Sequence, residues 1–165
     1  VLILNKLGNF PSNGKIFVDS NIIAYFLLKH PEYYIACKNF LKRVEDRKIT
    51  AFVNNIIASE VYFIYVRAKL SEKLSISTST VIKELKHNPN LLEKVDLHPV
   101  NLIFQTLSLS FLNFDVTNLG SLISNHRLLP NDALHLAAMQ ANKIGDIATN
   151  DQDFERIEGV KVWKP

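Results

Sequence analysis

Hydrophobic and polar positions follow two rhythms along this chain, and the switches between them mark its elements. Ile16, Phe17 and Val18 form a continuous run of β-branched and aromatic residues, the pattern of a short buried strand. Asp19 and Ser20 follow, and either can cap a helix beginning near Asn21, because a short side-chain oxygen accepts the N–H groups that a first turn leaves open. From Tyr33 to Arg47 the apolar positions Ile35, Ala36, Phe40, Leu41 and Val44 recur at helical spacing with charged residues between them. Ile49 to Val53 reads as a second strand, and Asn54 or Asn55 caps a strongly apolar helix running to about Leu70. A further helix is expected over Ser77 to His87, closed by Asn88 and Pro89.

Leu91 to Gly120 is the least legible stretch, mostly helical in pattern, with a short strand expected around Phe114 to Thr117. Pro130 and Asn131 open a helix over Asp132 to Lys143, with Gly145 as its expected terminator. Ile147 to Thr149 is a strand, Asn150 to Arg156 a loop with a short helical turn, and Val160 to Trp163 a last strand. Gly8, Asn9, Pro11, Asn13 and Gly14 punctuate residues 1–15, which read as an N-terminal extension ahead of one domain over residues 16–165. Strands alternating with helices predict an α/β fold, a mostly parallel sheet covered on both faces.

Composition narrows the class. At 165 residues the chain fits one domain, and 47% hydrophobic with 21% charged residues suits a folded globular protein. The single cysteine, Cys37, excludes an intrachain disulfide and a multi-cysteine zinc site, and reads as a buried structural thiol. No apolar run is long enough to span a bilayer. Val1 to Leu4 is apolar but too short for a signal peptide, so a cytoplasmic protein is expected. The net charge of +3 and the pI near 9.0 lean weakly toward a polyanionic partner. Lys38, Lys42, Arg43, Arg47 and Lys48 cluster, as do Arg67, Lys69 and Lys73, and solvated helix faces account for both groups.

The acids change the picture more. Ligands of open α/β sheets bind beyond the carboxyl ends of strands, at the switch point. Asp19 directly follows the first strand, and Asp151 and Asp153 directly follow the strand at Ile147 to Thr149, so the three can meet at one sheet edge. Glu60 lies in a helix apolar on nearly every face, where an unpaired charge is costly. Either a buried Arg or Lys or a metal ion would compensate it. Asp132 opens its helix, where an acid also complements the helix dipole. His135 falls on the same face and reads as a supporting or core residue. Tyr25, Tyr33, Tyr34 and Phe63 are able to stack on bases, although core packing is the default for such aromatics.

Together these residues resemble a known pattern. Val18-Asp19-Ser20-Asn21-Ile22 is similar to the opening signature of PIN domains, and Ser59-Glu60-Val61 after a short strand resembles their second acidic motif. Asp132-Ala133-Leu134-His135-Leu136-Ala137-Ala138 is close to the third, and Thr149-Asn150-Asp151-Gln152-Asp153-Phe154 resembles the fourth. The motifs follow the family's order and span Ile16 to about Trp163. Eighteen residues precede Asp19, more than in most small members; Ser20 replaces the commoner Thr; and residues 74–120 carry no family motif.

The resemblance implies a PIN-like three-layer sandwich with a mostly parallel sheet of about five strands flanked by helices. It also implies a metal-dependent endoribonuclease, most often the VapC-type toxin of a toxin–antitoxin pair. Asp19, Glu60, Asp132 and Asp151 would be its catalytic residues and its ligands to Mg²⁺ or Mn²⁺. Asn21 and Thr149 would orient a carboxylate or a bound water. Asp153 is either a supporting acid or a cap for the turn before Phe154, the cap being favoured. Cleavage of this kind leaves a 5′-phosphate and a 3′-hydroxyl. The implied partners are an RNA substrate, an antitoxin protein and a second copy of the chain in a homodimer.

The high apolar content points to a covered surface, expected over Tyr62 to Lys73 and the region before Pro89. Three other readings stand beside this one. They are an inactive PIN-like module that binds RNA or protein, a PIN nuclease of RNA processing, and an α/β phosphohydrolase. The last is disfavoured because the chain has five glycines and no Gly-rich phosphate loop.

Overall fold

The computed structural model describes residues 5–165; the apolar Val1 to Leu4 lie outside the described residues. A six-stranded, wholly parallel sheet forms the centre, with the order β1-β6-β5-β2-β3-β4. Its strands are β1 (Asn5–Lys6), β2 (Lys15–Val18), β3 (Thr50–Val53), β4 (Leu109–Phe111), β5 (Asp146–Ala148) and β6 (Lys161–Lys164). Among the described residues seven α-helices accompany it: α1 (Ser20–Leu27), α2 (Tyr34–Glu45), α3 (Asn55–Leu74), α4 (Thr78–His87), α5 (His98–Thr106), α6 (Leu119–His126) and α7 (Pro130–Ala141).

Central strands of a parallel sheet are covered on both faces, which is why their residues need not alternate. Ile16, Phe17 and Val18 are all fully buried in β2. β3 and β4 lie to one side of β2, whereas β5 and β6 lie to the other. The strand order therefore reverses between β2 and β5, and a crevice opens beyond their carboxyl ends. A backbone bond from Asp19 N to the Ala148 carbonyl (3.0 Å) closes the sheet at that point.

The extension expected over residues 1–15 is packed from Asn5 onward. β1 pairs with β6, Leu7 and Phe10 enter the core, and Arg43 Nη2 donates to the Phe10 carbonyl at 2.6 Å. Phe10 also meets Trp163 edge to face, with ring centroids 5.0 Å apart.

Three local expectations are corrected. Phe114 to Thr117 is not a strand, because the Asp115 carboxylate takes the Thr117 N–H (2.9 Å) and hydroxyl (2.6 Å) and bends the chain into a turn. The edge strand is Leu109–Phe111 instead, paired with β3. At the end of α7 the left-handed residue is Lys143 (φ 55°), not Gly145. Gly145 instead sits in a tight spot, where a Cβ would lie 3.2 Å from the Gly159 carbonyl oxygen and crowd it. Finally, the apolar residues expected to form an exposed face between Tyr62 and Pro89 mostly bury one another. Leu70, Val81 and Leu91 form a small second core, flanked by Val66, Leu74, Ile76 and Leu85. Phe63 is the large apolar side chain of that stretch left exposed.

Candidate active site

Asp19, the first residue past β2, is placed by two structures at once. It ends the central strand and caps α1, its Oδ1 accepting the Ser20 N–H at 2.6 Å. Its Oδ2 accepts from Asn21 Nδ2 (2.6 Å) and from the Thr149 hydroxyl (2.5 Å). Thr149, just past β5, is fully buried, and its oxygen in turn accepts the Asp151 N–H at 2.9 Å. Asn21 completes the clasp by accepting the Asn150 N–H on Oδ1 at 3.3 Å. The Asn21 and Thr149 side chains thus join the first acid to the loop that carries the last. Burial pushes the Asp19 carboxyl above its ordinary value, and the Thr149 hydroxyl opposes that rise.

Glu60 sits on α3 where that helix passes the crevice, so the burial expected from its apolar surroundings is only partial. Its side chain keeps 24% of its exposure. Neither Arg nor Lys pairs with it among the described residues. Asn131 Nδ2 donates to Oε1 at 2.6 Å, and His135 Nε2 faces Oε2 at 3.5 Å. Burial pushes the Glu60 carboxyl up, but His135, Asn131 and Ser20 together outweigh it, and the net shift is downward.

His135 is held from behind. Asn54 is fully buried and caps α3, its Oδ1 taking the Ile57 N–H (3.0 Å), which turns its Nδ2 toward His135 Nδ1 at 3.2 Å. A neutral imidazole accepting there carries its proton on Nε2, the nitrogen facing Glu60. Asn54 and Asn131 were invisible as site residues in the sequence. The first reads as a cap and nothing more, and the second as one of two residues opening a helix.

Asp132 lies in the first turn of α7 behind Pro130, so it meets the helix N-terminus and the crevice together. Burial pushes its carboxyl up to about 6, and the neighbouring charge of Asp151 adds to the rise. Asp151 projects from the loop after β5 and accepts the Asp153 N–H on Oδ1 at 2.8 Å. The bond that tightens the turn before Phe154 is thus made by the Asp151 carboxylate, and the Asp153 side chain does not form the expected cap. Asp153 instead pairs with Arg156 Nη1 at 2.6 Å, and Arg156 also donates to the His126 and Arg127 carbonyls.

The fold thus brings Asp19, Glu60, Asp132 and Asp151 into one open pocket of about 370 Å³, lined also by Ser20, Asn21, Phe63, Ile64 and Asn131. Potential ligand atoms gather in two groups, Asp19 with Glu60 and His135, and Asp132 with Asp151 and Asp153; within each group they lie within 4.8 Å of one another. No Lys or Arg lines the pocket among the described residues. Oxygen-rich, negatively charged and uncompensated by cationic side chains, this donor set suits a hard divalent cation. The other aromatics singled out, Tyr25 and Tyr33, pack with His30 in a cluster of their own, while Tyr34 stacks on Phe26. Cys37 is buried, and burial pushes its thiol up to about 12.

The family model described as PIN domain matches residues 16–160 of the chain. A relative from Methanocaldococcus jannaschii, described as ribonuclease VapC2, is 33% identical over 150 residues, covering 90% of this chain and 93% of the relative. Among solved structures, one chain of the crystal structure of VapBC2 from Rickettsia felis bound to a DNA fragment from their promoter is similar with a TM-score of 0.53. It covers 91% of this chain and 98% of its own at 17% identity, a likeness of fold.

Proposed function

The chain belongs to the PIN-domain family, and from that premise we propose that it is a metal-dependent endoribonuclease acting as the toxin of a toxin–antitoxin pair. One observation carries this reading: four carboxylates from four separate segments share one pocket that no cationic side chain neutralises. An arrangement of this kind opposes its own folding unless a cation is bound. Asp19, Glu60, Asp132 and Asp151 would hold Mg²⁺ or Mn²⁺. When bound, the ion offsets the charge that builds on a phosphodiester during cleavage and makes a bound water more acidic.

The chain's own residues divide the remaining work. Thr149 and Asn21 fix the Asp19 carboxylate, leaving little freedom in where its charge sits. Asn54 sets the His135 tautomer, and His135 with Asn131 keeps Glu60 ionised and aimed into the pocket. Asp153, tied to Arg156, shapes the loop that presents Asp151. On this reading residues 16–165 carry the nuclease motifs, and the described part of the N-terminal extension, from Asn5 onward, packs into the same sheet and core.

The relative described as ribonuclease VapC2 supports RNA as the substrate. An antitoxin partner accords with an apolar groove of about 460 Å³ between α1, α2 and α5. Phe26, Leu41, Leu102 and Ile103 line the groove, and Lys29, Lys38 and Lys42 rim it, a surface suited to an amphipathic helix with acidic flanks. A homodimer belongs to the same reading, and sedimentation at micromolar concentration tests it. No described helix is long and apolar enough to cross a membrane, and cytoplasmic residence is part of the proposal.

The deciding experiment incubates the purified protein with structured and single-stranded RNAs in Mn²⁺, Mg²⁺ or EDTA and maps the cut ends. Metal-dependent cuts leaving 5′-phosphates and 3′-hydroxyls are expected. Cutting that persists in EDTA, or its absence under every condition, overturns the proposal.

A further inference from the structure

One face of α3 continues past the carboxylates. Glu60, Phe63, Ile64 and Arg67 stand at positions i, i+3, i+4 and i+7 and so form one stripe along the helix. The first three line the pocket. Phe63 is 49% exposed at its lip, an unfavourable place for an unpartnered aromatic ring. Arg67 covers part of it, with the guanidinium carbon 5.2 Å from the ring centroid. The guanidinium is itself fixed from the other side, since its Nε donates to the Thr78 carbonyl at the start of α4 (3.2 Å). Among the described residues, Arg67 Nη1 and Nη2 have no hydrogen-bond partner and no acid pairs with the group.

An anchored guanidinium with an open fork suits a phosphate oxygen pair, and an exposed ring beside it suits a nucleobase. We propose that Phe63 and Arg67 form a handhold for the RNA strand outside the carboxylate cluster, Phe63 stacking a base next to the scissile phosphate and Arg67 binding a phosphate farther along. This assignment rests on the nuclease reading above. The spacing fits it. Arg67 lies seven residues from Glu60, about 10 Å along the helix axis. A stacked strand rises about 3.4 Å per nucleotide, which puts Arg67 about three nucleotides from the cut. The pocket supplies no cation of its own, so a basic group just beyond it gives the incoming polyanion its first attraction. The segment from Ser75 to Val95, which bears no family motif, gains a role here. Thr78 and the small core around Leu70 and Val81 hold the end of α3 and keep Arg67 in place. Both residues act as substrate-binding groups, Phe63 at the lip of the acidic pocket and Arg67 beyond it.

The test compares Phe63→Leu, Arg67→Gln and Arg67→Lys with the wild-type chain. Cleavage is followed on a long single-stranded RNA and on a trinucleotide, in Mn²⁺ and at several salt concentrations. On the long RNA, Phe63→Leu should raise KM roughly tenfold with kcat little changed, the scale of one lost base stack. Arg67→Gln should raise KM and flatten the dependence of log KM on log salt by about 0.7, the contribution of one phosphate contact on a single strand. Arg67→Lys should restore that slope, a result that a purely structural role of Arg67 does not produce. On the trinucleotide, too short to reach position 67, Arg67→Gln and wild type should be alike.

Unchanged KM and salt slope in variants that still cut overturn the handhold and leave the nuclease reading intact. A fall in kcat at constant KM overturns it in favour of a packing role around Glu60, and a change in oligomeric state in favour of a subunit contact at Phe63. A lowered melting temperature that Arg67→Lys shares, without a salt-slope difference, also counts against it. Failure of the wild-type chain to cut any RNA overturns both readings together.

Discussion

The two halves of the acidic pocket solve the same problem differently. On the Asp19 side the carboxylate is buried, and the chain supplies its donors: the Ser20 N–H, the Asn21 amide and the Thr149 hydroxyl. On the Asp132 side the carboxyl is half-buried, faces the like charge of Asp151, and is raised to about 6. Hydrogen bonds built into the fold fix the first acid in place at all times. The second has the α7 N-terminus and His135 in its favour, but burial and the neighbouring acids outweigh them, so a proton or a cation stabilises it further. Rigid placement of one carboxylate beside strain in another is a way to keep a pocket both preformed and ready to bind.

Neutralising either half tests that contrast most strongly. Asp19→Asn and Asp132→Asn should each lower kcat roughly a hundred- to a thousandfold, the kinetic equivalent of several kcal/mol of lost charge stabilisation. Their stabilities without metal should move in opposite directions. In Asp19→Asn an amide N–H must face the donors already aimed at that side chain, an unsatisfied arrangement costing about 1–3 kcal/mol. Burial raises the Asp19 carboxyl, so charge alone favours neutralising it. The geometry argues otherwise, because both oxygens already accept. Asp132→Asn relieves repulsion and should melt higher than wild type. Equal melting shifts of the same sign, by calorimetry, would remove the distinction between the halves.

Thr149→Val probes the link between them. It removes the bond to Asp19 and the acceptor for the Asp151 N–H while preserving shape, so kcat should fall about 10- to 100-fold, the usual scale for groups that orient metal ligands. A similar loss from Asp153→Asn would mean that Asp153, whose oxygen lies within 4.8 Å of ligand atoms of Asp132 and Asp151, works with them and does not serve Arg156 alone. That variant should stay within about threefold of wild type, a change on the order of 0.6 kcal/mol.

The pH dependence is subtler. Unfolded, Asp132 titrates near 3.8, whereas in the folded chain it titrates at about 6. Between those values the folded state holds a proton that the unfolded chain has released, so stability without metal falls as pH rises through that window. Glu60 is shifted downward from 4.5, so its contribution is fully present above that value and is lost as pH falls through its lower folded value; it is therefore constant between pH 5 and pH 7. Without metal the melting temperature should therefore be higher at pH 5 than at pH 7 by about 3 °C, the scale of one kcal/mol after solvent screening. Mn²⁺ should raise it more at pH 7, where Asp132 is already ionised. A metal-free melting curve independent of pH, or one equally dependent in Asp132→Asn, would count against the strained half.

Much of this was readable in the sequence because the relevant signals are local. A run such as Ile16-Phe17-Val18 is a buried strand wherever it occurs, and the acid after it lies at that strand's carboxyl end. Ser77 and Asn54 announce their helices because a cap acts within three residues. Pairing and burial, in contrast, are nonlocal. β4 is an edge strand of three residues, half covered at most, and nothing in Leu109-Ser110-Phe111 distinguishes it from a loop. α6 buries none of its residues fully and gave no helical stripe to read. β1 is a strand because β6 lies beside it, 157 residues away, and not because of Asn5 or Lys6 themselves.

The sequence by itself determined the central strands and most helices, and put Asp19 and Asp151 just past strand ends, Glu60 within a helix and Asp132 at a helix start, since each depends on neighbours within a turn or a strand. Only the tertiary structure decided that Glu60 answers to Asn131 and His135 instead of a buried cation, and that Thr149 clasps Asp19. It alone decided that Asp151 rather than Asp153 closes the turn, and that Arg67 lies beside an exposed Phe63. Those relations depend on which donor a carboxylate meets across the fold, and a hydrogen bond of about 3 Å is set by the packing of whole elements, not by spacing along the chain.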